Sequence, residues 1–365
     1  MIVTFPHMGN ICLAAKAFFD ALQIPCVVPL HNNKKTLKTG AYLSPEEICL
    51  PFKIMMGNYI DCLERGADTI LITGSCGPCR FGEYCELQMN LLKKFGYSAD
   101  MIVLDAPFDI GKEAFWQRLR SVTKGSRAGR AKKLDALRKA IQILKLADQI
   151  DASANARAGY EASRGECKRL RAEAKAHALS TSSPHEMRHT LLTCLDRLRS
   201  IRLDPTRRPV HITLVGEIYT MIEPFSNLYI EEKLMDLGAC SIRPLTPSWW
   251  IKDLLLKPLG INSLRIRSDA KKYLPAGAGG HAKETIAHVA QAARAKSDGV
   301  IQVFPLGCMP EIVTKAVLPA IQKQMGIPVM TLVVDEVTGE AGYLTRIEAF
   351  LDMLEAKKHK GKKHA

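Results

Sequence analysis

Asp68-Thr69-Ile70-Leu71-Ile72-Thr73-Gly74-Ser75-Cys76-Gly77-Pro78-Cys79-Arg80-Phe81-Gly82 joins an apolar run to a glycine-rich turn that holds two thiols. The run predicts a buried strand. The residues beyond Gly82 predict a helix, with Tyr84, Leu87, Leu91 and Phe95 on one side. The thiols therefore sit on a tight turn at the carboxyl end of a strand, where open α/β sheets bind ligands and cofactors. Three chemistries suit such a pair: disulfide exchange, a zinc site or an iron–sulfur cluster.

Outward from this stretch, the first hundred residues alternate strand and helix. Ile2–Phe5 predicts a strand, Asn10–Leu22 a helix with Asn10 as N-cap, and Ile24–Val28 a second strand. Ser44-Pro45-Glu46-Glu47 has the form of a capping box opening a long helix to about Gly66, with Cys49 just after it. Met101–Asp105 predicts a further strand. The last third repeats the plan. His211–Gly216 predicts a strand ending in Glu217, and 226–237 a helix. Gly238-Ala239-Cys240-Ser241-Ile242-Arg243-Pro244-Leu245 echoes Gln23-Ile24-Pro25-Cys26-Val27-Val28-Pro29-Leu30. Ser297-Asp298-Gly299-Val300-Ile301-Gln302-Val303 echoes the run before Cys76. It leads into Phe304-Pro305-Leu306-Gly307-Cys308-Met309-Pro310-Glu311, again a cysteine turn before a helix, and Ile327–Asp335 matches the Met101–Asp105 strand. An internal duplication accounts for both halves. Two such lobes facing one another would bring Cys76, Cys79 and Cys308 towards one cleft.

Residues 111–208 are different in kind. They are rich in Ala, Arg, Lys, Leu and Glu, show no strand pattern, and place Leu134, Leu137, Ile141 and Leu144 at helical spacing. This stretch has 23 Lys and Arg against 10 Asp and Glu, a difference of +13 in a chain whose net charge is +14. The basicity thus belongs to one segment, read as a solvated helical face or as a docking surface for an acidic protein or for the phosphates of a CoA ester. Its few aromatics and lack of a recognised motif argue against nucleic acid. The expected organisation is an α/β lobe over 1–110, a basic helical insert over 111–208, a second α/β lobe over 209–356 and a basic tail over 357–365. With 365 residues, 47% of them apolar, each lobe can bury a core. Met1–Pro6 carries no basic leader and no apolar run approaches a membrane span, so a cytoplasmic protein is expected. The eleven cysteines then point to metal, catalysis or core packing rather than to disulfides.

Weighed singly, the cysteines leave the three chemistries open. Cys76-Gly77-Pro78-Cys79 spells the thioredoxin tetrapeptide, but no Trp precedes it and the matching turn has Cys308 alone. A structural zinc site suits one close pair and usually brings a second, which is missing. Distant single thiolates converging on a cleft suit a cubane cluster at least as well. Cys12, Cys26, Cys62 and Cys240 read as core residues, and Cys167 and Cys194 as incidental to the insert. Cys85, on the helix after Cys79, stays open as a ligand. His7, Glu217 and His281 lie at glycine-containing strand or helix ends, and Gly277-Ala278-Gly279-Gly280-His281 offers free amides before a helix. No Walker motif or dinucleotide fingerprint is present.

Several strings together resemble the iron–sulfur proteins related to 2-hydroxyacyl-CoA dehydratases, which include the dehydratase component D, CoA-substrate-specific activase-related proteins and double-cubane cluster proteins. They are Glu46-Glu47-Ile48-Cys49-Leu50-Pro51-Phe52-Lys53, Gly77-Pro78-Cys79-Arg80-Phe81-Gly82, Pro305 to Glu311, and Asp335-Glu336 through Thr345-Arg346-Ile347-Glu348-Ala349-Phe350, with Gly279-Gly280-His281 also fitting. The resemblance covers roughly 1–110 and 209–355. It implies two flavodoxin-like or Rossmann-like lobes with a [4Fe-4S] cluster between them, as a single or a double cubane. It implies Cys49, Cys79 and Cys308 as ligands, with Cys76 a fourth thiol within reach. If Cys76 also binds, the cluster is an electron carrier; if not, an open iron remains for chemistry. The resemblance further implies an anaerobic dehydratase-like or reductase role. An ATP-hydrolysing iron–sulfur activator would be the partner, a CoA ester or other small molecule the substrate, and a homo- or heterodimer the assembly. A thiol–disulfide oxidoreductase using Cys76 and Cys79, and a non-catalytic partner-binding scaffold, are the competing classes.

Overall fold

A computed structural model describes residues 1–74, 79–105, 110–256 and 263–362 of the chain. The Ser75–Pro78 turn, and Cys76 with it, lies outside the described residues. The chain divides into two compact units. Unit 1 holds Met1–Asp148, Lys175–Leu192 and Pro247–Asn262; unit 2 holds Gln149–Ala174, Thr193–Thr246 and Ser263–Ala365.

Each unit is built on a parallel sheet. In unit 1, β1 (Val3–Thr4), β2 (Thr69–Thr73) and β3 (Asp100–Leu104) lie in that order, with Val3 opposite Thr69 and Thr69 opposite Asp100. Cys26 adds a parallel bridge to Val3 on the other side of β1. In unit 2, β4 (His211–Gly216), β5 (Cys240–Ile242), β6 (Gly299–Pro305) and β7 (Val329–Val334) take the order β5-β4-β6-β7. Cys240 stands opposite His211 there, as Cys26 stands beside Val3 in unit 1. Both units therefore place the second strand outside the first and then the third and fourth on the other side, the flavodoxin-like arrangement. The sequence echo is a structural duplication. The apolar runs follow from it, because parallel strands covered on both faces are buried along their whole length; every residue of β6 is buried. In such a sheet the switch point lies at the carboxyl ends of β1 and β2 in unit 1, and of β4 and β6 in unit 2.

The core of unit 1 packs Val3, Phe5, Cys12, Phe19, Leu22 and Ile24 with Val122 and Ala136. Helices α1 (Ile11–Leu22), α2 (Lys34–Leu43) and α3 (Leu50–Glu64) lie between β1 and β2 in the chain. Almost all of α3 is buried, including Lys53 and Asn58. Helices α2 and α3 cross at two glycines. A Cβ on Gly40 would lie 1.7 Å from the Lys53 carbonyl oxygen, and one on Gly57 would lie 1.9 Å from that of Thr36. Only hydrogen fits at this crossing.

The 111–208 stretch is helical, as its composition predicts, apart from an isolated antiparallel bridge between Glu161 and Leu203. It forms α5 (Lys112–Val122), α6 (Arg130–Arg157), α7 (Glu166–Ser180) and α8 (Pro184–Arg199) after α4 (Tyr84–Lys94). Its residues are shared between the units, with boundaries falling inside α6, α7 and α8.

Two local expectations are corrected. Ser44 does not open a helix: it ends α2, with its Oγ donating to the Gly40 carbonyl at 2.6 Å. The chain then turns, and α3 begins at Leu50 with Cys49 as N-cap and Pro51 in its first turn. Proline suits that position because its missing N–H would have no helical partner there. On α6, Leu134 and Leu137 are exposed at 69% and 45%, while Ala136, Ala140, Ile143 and Leu144 are buried. Alanine permits close packing of α6 at those positions. On α4 the buried line is Tyr84, Gln88 and Leu92, one register away from the expected face. No helix among the described residues is long and apolar enough to cross a membrane.

Candidate functional site

In unit 1 two of the cysteines singled out by sequence start helical turns in one neighbourhood. Cys49 is the N-cap of α3, in extended conformation. Cys79 is the N-cap of a single 3-10 turn, Arg80–Glu83, that runs into α4. Three contacts join these elements. The Cys49 Sγ and the Tyr84 hydroxyl lie 2.5 Å apart. Arg80 Nη1 donates to the Glu47 carbonyl at 2.8 Å, linking the residue after Cys79 to the turn before Cys49. Tyr84 is held by ring contacts to Phe52 on α3 and Phe81 in the 3-10 turn, each with centroids 5.0 Å apart. Lys53 is one helical turn beyond Cys49. It is 2% exposed, and its Nζ donates to the Glu46 carbonyl at 2.9 Å.

The carboxyl end of β2 is tightly built. Gly74 N–H donates to the Leu104 carbonyl at 3.0 Å, and a Cβ on Gly74 would overlap the Asp105 carboxyl. Asp105 is paired with Arg118. His7, at the end of β1, is buried and donates its N–H to Asn58 Oδ1 at 2.9 Å, with its ring 5.0 Å from that of His31. Asn10 occupies the N-cap position of α1, but its side chain does not cap; Nδ2 donates to Asp148 Oδ1 at 2.9 Å.

In unit 2 the equivalent strand end carries Cys308, 9% exposed, as N-cap of α14 (Met309–Met325), where α9–α13 are Ile218–Ile222, Ile230–Asp236, Pro247–Leu256, Leu264–Lys271 and Ala282–Arg294. The glycine-rich loop comes to this turn: a Cβ on Gly280, whose φ is +49, would lie 2.9 Å from Pro310 Cγ. His281 is thereby placed beside the Cys308 motif as N-cap of α13. Behind it stands Glu311, 1% exposed. Its carboxyl accepts from Thr285 Oγ1 at 2.9 Å and Gln302 Nε2 at 2.8 Å, while Thr331 Oγ1 donates to Gln302 Oε1 at 3.0 Å. Burial pushes the Glu311 carboxyl up to about 8 against these two donors, and the charges of Glu217 and Glu284 push the same way. Glu217 ends β4 and caps α9, accepting from Tyr219 N at 2.9 Å and Thr220 N at 2.8 Å. Gly216, with φ of +144, lets β4 approach β6 there; a Cβ would sit 1.8 Å from the Val303 carbonyl oxygen.

The remaining cysteines differ in their surroundings. Burial raises the thiol of Cys26 to about 12 and that of Cys240 to about 11, and it also raises Cys62, Cys85, Cys167 and Cys194. A thiol held in its neutral form is a poor nucleophile and a poor ligand. Cys49, Cys79 and Cys308 instead head helical turns, whose free amides favour negative charge. As donors they are soft thiolates, suited to iron–sulfur chemistry or zinc and not to hard cations. Among the described residues no three His, Cys, Asp or Glu side chains gather as a metal site; Cys76 is outside that set. Sequence reasoning missed Tyr84, Lys53 and the Thr285–Glu311–Gln302 network. Spacing offered a signal for two of them, since Lys53 is four residues past Cys49 and Glu311 three past Cys308.

Comparison with protein families bears on the same segments. The model described as CoA enzyme activase uncharacterised domain matches residues 7–244, which hold Cys49 and Cys79. The model of the 2-hydroxyglutaryl-CoA dehydratase D-component matches residues 259–354, which hold Cys308, Glu311 and the Gly280 loop. No curated protein matches the chain. With the first model spanning more than half of the chain and the second covering the other cysteine turn, the protein belongs to the CoA enzyme activase family of that uncharacterised domain and is similar, over its last third, to the D-component of 2-hydroxyglutaryl-CoA dehydratase.

Proposed function

We propose that the chain is an iron–sulfur protein of the 2-hydroxyacyl-CoA dehydratase and activase-related type, with Cys49, Cys79 and Cys308 as thiolate ligands of a [4Fe-4S] cluster. The observation that carries this reading is that each of the three is the N-cap of a helical turn, with Cys308 at the end of β6 in the position that the Cys79 turn takes after β2. The amides of those turns stabilise anionic sulfur, and Lys53 and Arg80 add positive charge around the turn before Cys49. When bound, such a cluster supplies a one-electron carrier and, where one iron lacks a thiolate, a position for a small ligand. Cys76 decides between the two.

In this reading the chain is the electron-accepting side of a pair. It has no nucleotide-binding motif, so an ATP-hydrolysing iron–sulfur activator is the partner that delivers electrons. A CoA ester is the substrate class, and the protein works in an anaerobic cytoplasm. Anaerobic purification with iron and sulfide analysis tests the cluster. The expected result is a brown protein whose iron is lost in Cys308→Ser and in Cys49→Ser. A colourless chain without iron after reconstitution overturns the reading. Iron retained in Cys308→Ser removes Cys308 from the ligand set.

A further inference from the structure

Lys53 is the least expected side chain around the cysteine turns. It is one of the largest fully buried side chains of the protein, 2% exposed, on a helix whose neighbours Phe52, Ile54, Met55 and Met56 are all buried. Taking an ammonium out of water costs several kcal/mol, so a chain that needed only packing there would place methionine or leucine. Its position is tied to Cys49. The two residues are four apart at the start of α3, on one side of the helix. The Lys53 Nζ reaches back to the Glu46 carbonyl, 2.9 Å away, in the turn that leads into Cys49. Arg80, next to Cys79, donates to the adjoining Glu47 carbonyl. A buried positive charge is thus held in the wall of the Cys49 turn, at low dielectric, where charges act on each other far more strongly than in water.

We propose that Lys53 is a positioning and charge-compensating residue for the cluster, and that its ammonium favours the reduced state. The inference rests on the cluster reading given above. Reduction adds one electron, and so one negative charge, to a group already made anionic by its thiolates. No bond forms or breaks. In the test the electron comes from a chemical reductant, dithionite. A fixed cation near Cys49 stabilises that added charge and makes the cluster easier to reduce.

The experiment uses the whole chain, reconstituted anaerobically with iron and sulfide. It compares wild type with Lys53→Gln, Lys53→Met and Lys53→Arg by iron content and by dithionite titration followed by electron paramagnetic resonance. Gln keeps a donor for the Glu46 carbonyl and loses the charge; Arg keeps the charge. Lys53→Gln and Lys53→Met are expected to load iron and to need a more negative potential for half-reduction, by at least the tenfold change in reduced-to-oxidised ratio that corresponds to about 59 mV, with Lys53→Arg close to wild type. Iron lost from Gln and Met but kept by Arg supports the proposal through binding rather than potential. Equal potentials in all loaded forms, or iron lost from all three variants alike, overturn it and leave Lys53 a packing residue. Wild type without iron overturns the cluster reading instead, so the two failures are told apart.

Discussion

Glu311→Gln should remove the fall in stability that Glu311 imposes between about pH 4.5 and about pH 8. The Glu311 carboxyl is 1% exposed and is pushed from 4.5 to about 8, with burial the largest cause. The folded chain therefore holds a proton there at neutral pH, and the unfolded chain does not. Below about pH 4.5 both states are protonated and the group adds no pH dependence. From there to about pH 8 the folded state keeps a proton that the unfolded state has lost, so stability falls as pH rises. Above about pH 8 both have lost it and the fall ends. At about 1.4 kcal/mol per pH unit the whole interval is worth on the order of 5 kcal/mol. Glutamine copies the protonated acid. Its Oε1 can accept from Gln302 Nε2 and its Nε2 can donate to the Thr285 hydroxyl, so both partners found in the structure stay occupied. The assay is urea unfolding followed by far-UV circular dichroism between about pH 5 and about pH 8, because all three tryptophans (Trp116, Trp249 and Trp250) lie in unit 1 and Glu311 lies in unit 2. Groups common to both proteins cancel in the difference. The wild type should lose stability relative to Glu311→Gln by several kcal/mol across the interval. Parallel profiles would show that Glu311 is ionised in the folded state and that its burial does not act as argued.

Two further outcomes follow from unit 2 and unit 1. Burial lowers the His288 imidazole from 6.5 to about 4, so the folded ring stays neutral while the unfolded one takes a proton below 6.5. Stability from this group is present above 6.5 and is lost as pH falls towards about 4, opposing Glu311 over part of its range. His288→Gln should therefore expose a steeper fall in stability with rising pH between about 4.5 and 6.5 than wild type shows in the same unfolding series, and an unchanged slope would refute it. Gly57→Ala drives a Cβ against the Thr36 carbonyl at the crossing of α2 and α3. It should cost on the order of 3 kcal/mol in thermal unfolding, whereas Gly129→Ala, with nothing within 4 Å, should stay within about 0.5 kcal/mol of wild type.

The sheet was legible because parallel strands buried on both faces must be apolar throughout, and because the chain writes the same run twice. Asp68–Thr73 and Asp298–Val303 announce β2 and β6, and the paired placement of Cys26 and Cys240 announces a matching strand in each half. Helix starts were less legible. Ser44-Pro45-Glu46-Glu47 has the composition of a capping box, yet Gly40 and Gly57 draw α2 and α3 so close that the chain needs those residues to turn, and the helix start moves to Cys49. A local capping preference of about 1 kcal/mol yields to that packing. On α6 the leucine spacing marked the helix, and the neighbouring alanines are what a close helix contact selects. Spacing pointed to Lys53 and periodicity to the buried side of Tyr84, but the partners of these two residues could not be found that way. Their roles depend on which element lies opposite, and that is a tertiary fact.

The duplication keeps a position and changes its chemistry. In both units a strand ends and, a few residues on, a thiol heads a helical turn. In unit 1 that thiol, Cys79, is followed directly by Arg80, and the neighbouring Cys49 turn carries Lys53 on the buried face of α3. In unit 2 the residue three past Cys308 is a buried acid whose carboxyl is pushed up to about 8 by burial, with Thr285 and Gln302 donating to it and Glu217 adding negative charge nearby. A cation answers added negative charge by attraction, whereas a buried acid held neutral leaves it unopposed and can take no further proton near neutral pH. If Cys308 ligates an anionic cofactor, the Glu311 carboxyl three residues further on must stay protonated to avoid repelling it. On that ground raising the pH past about 8, where Glu311 ionises, should weaken iron retention in the wild type and leave Glu311→Gln unaffected. Iron lost equally from both proteins would show that the carboxyl of unit 2 has no bearing on how the cofactor is held.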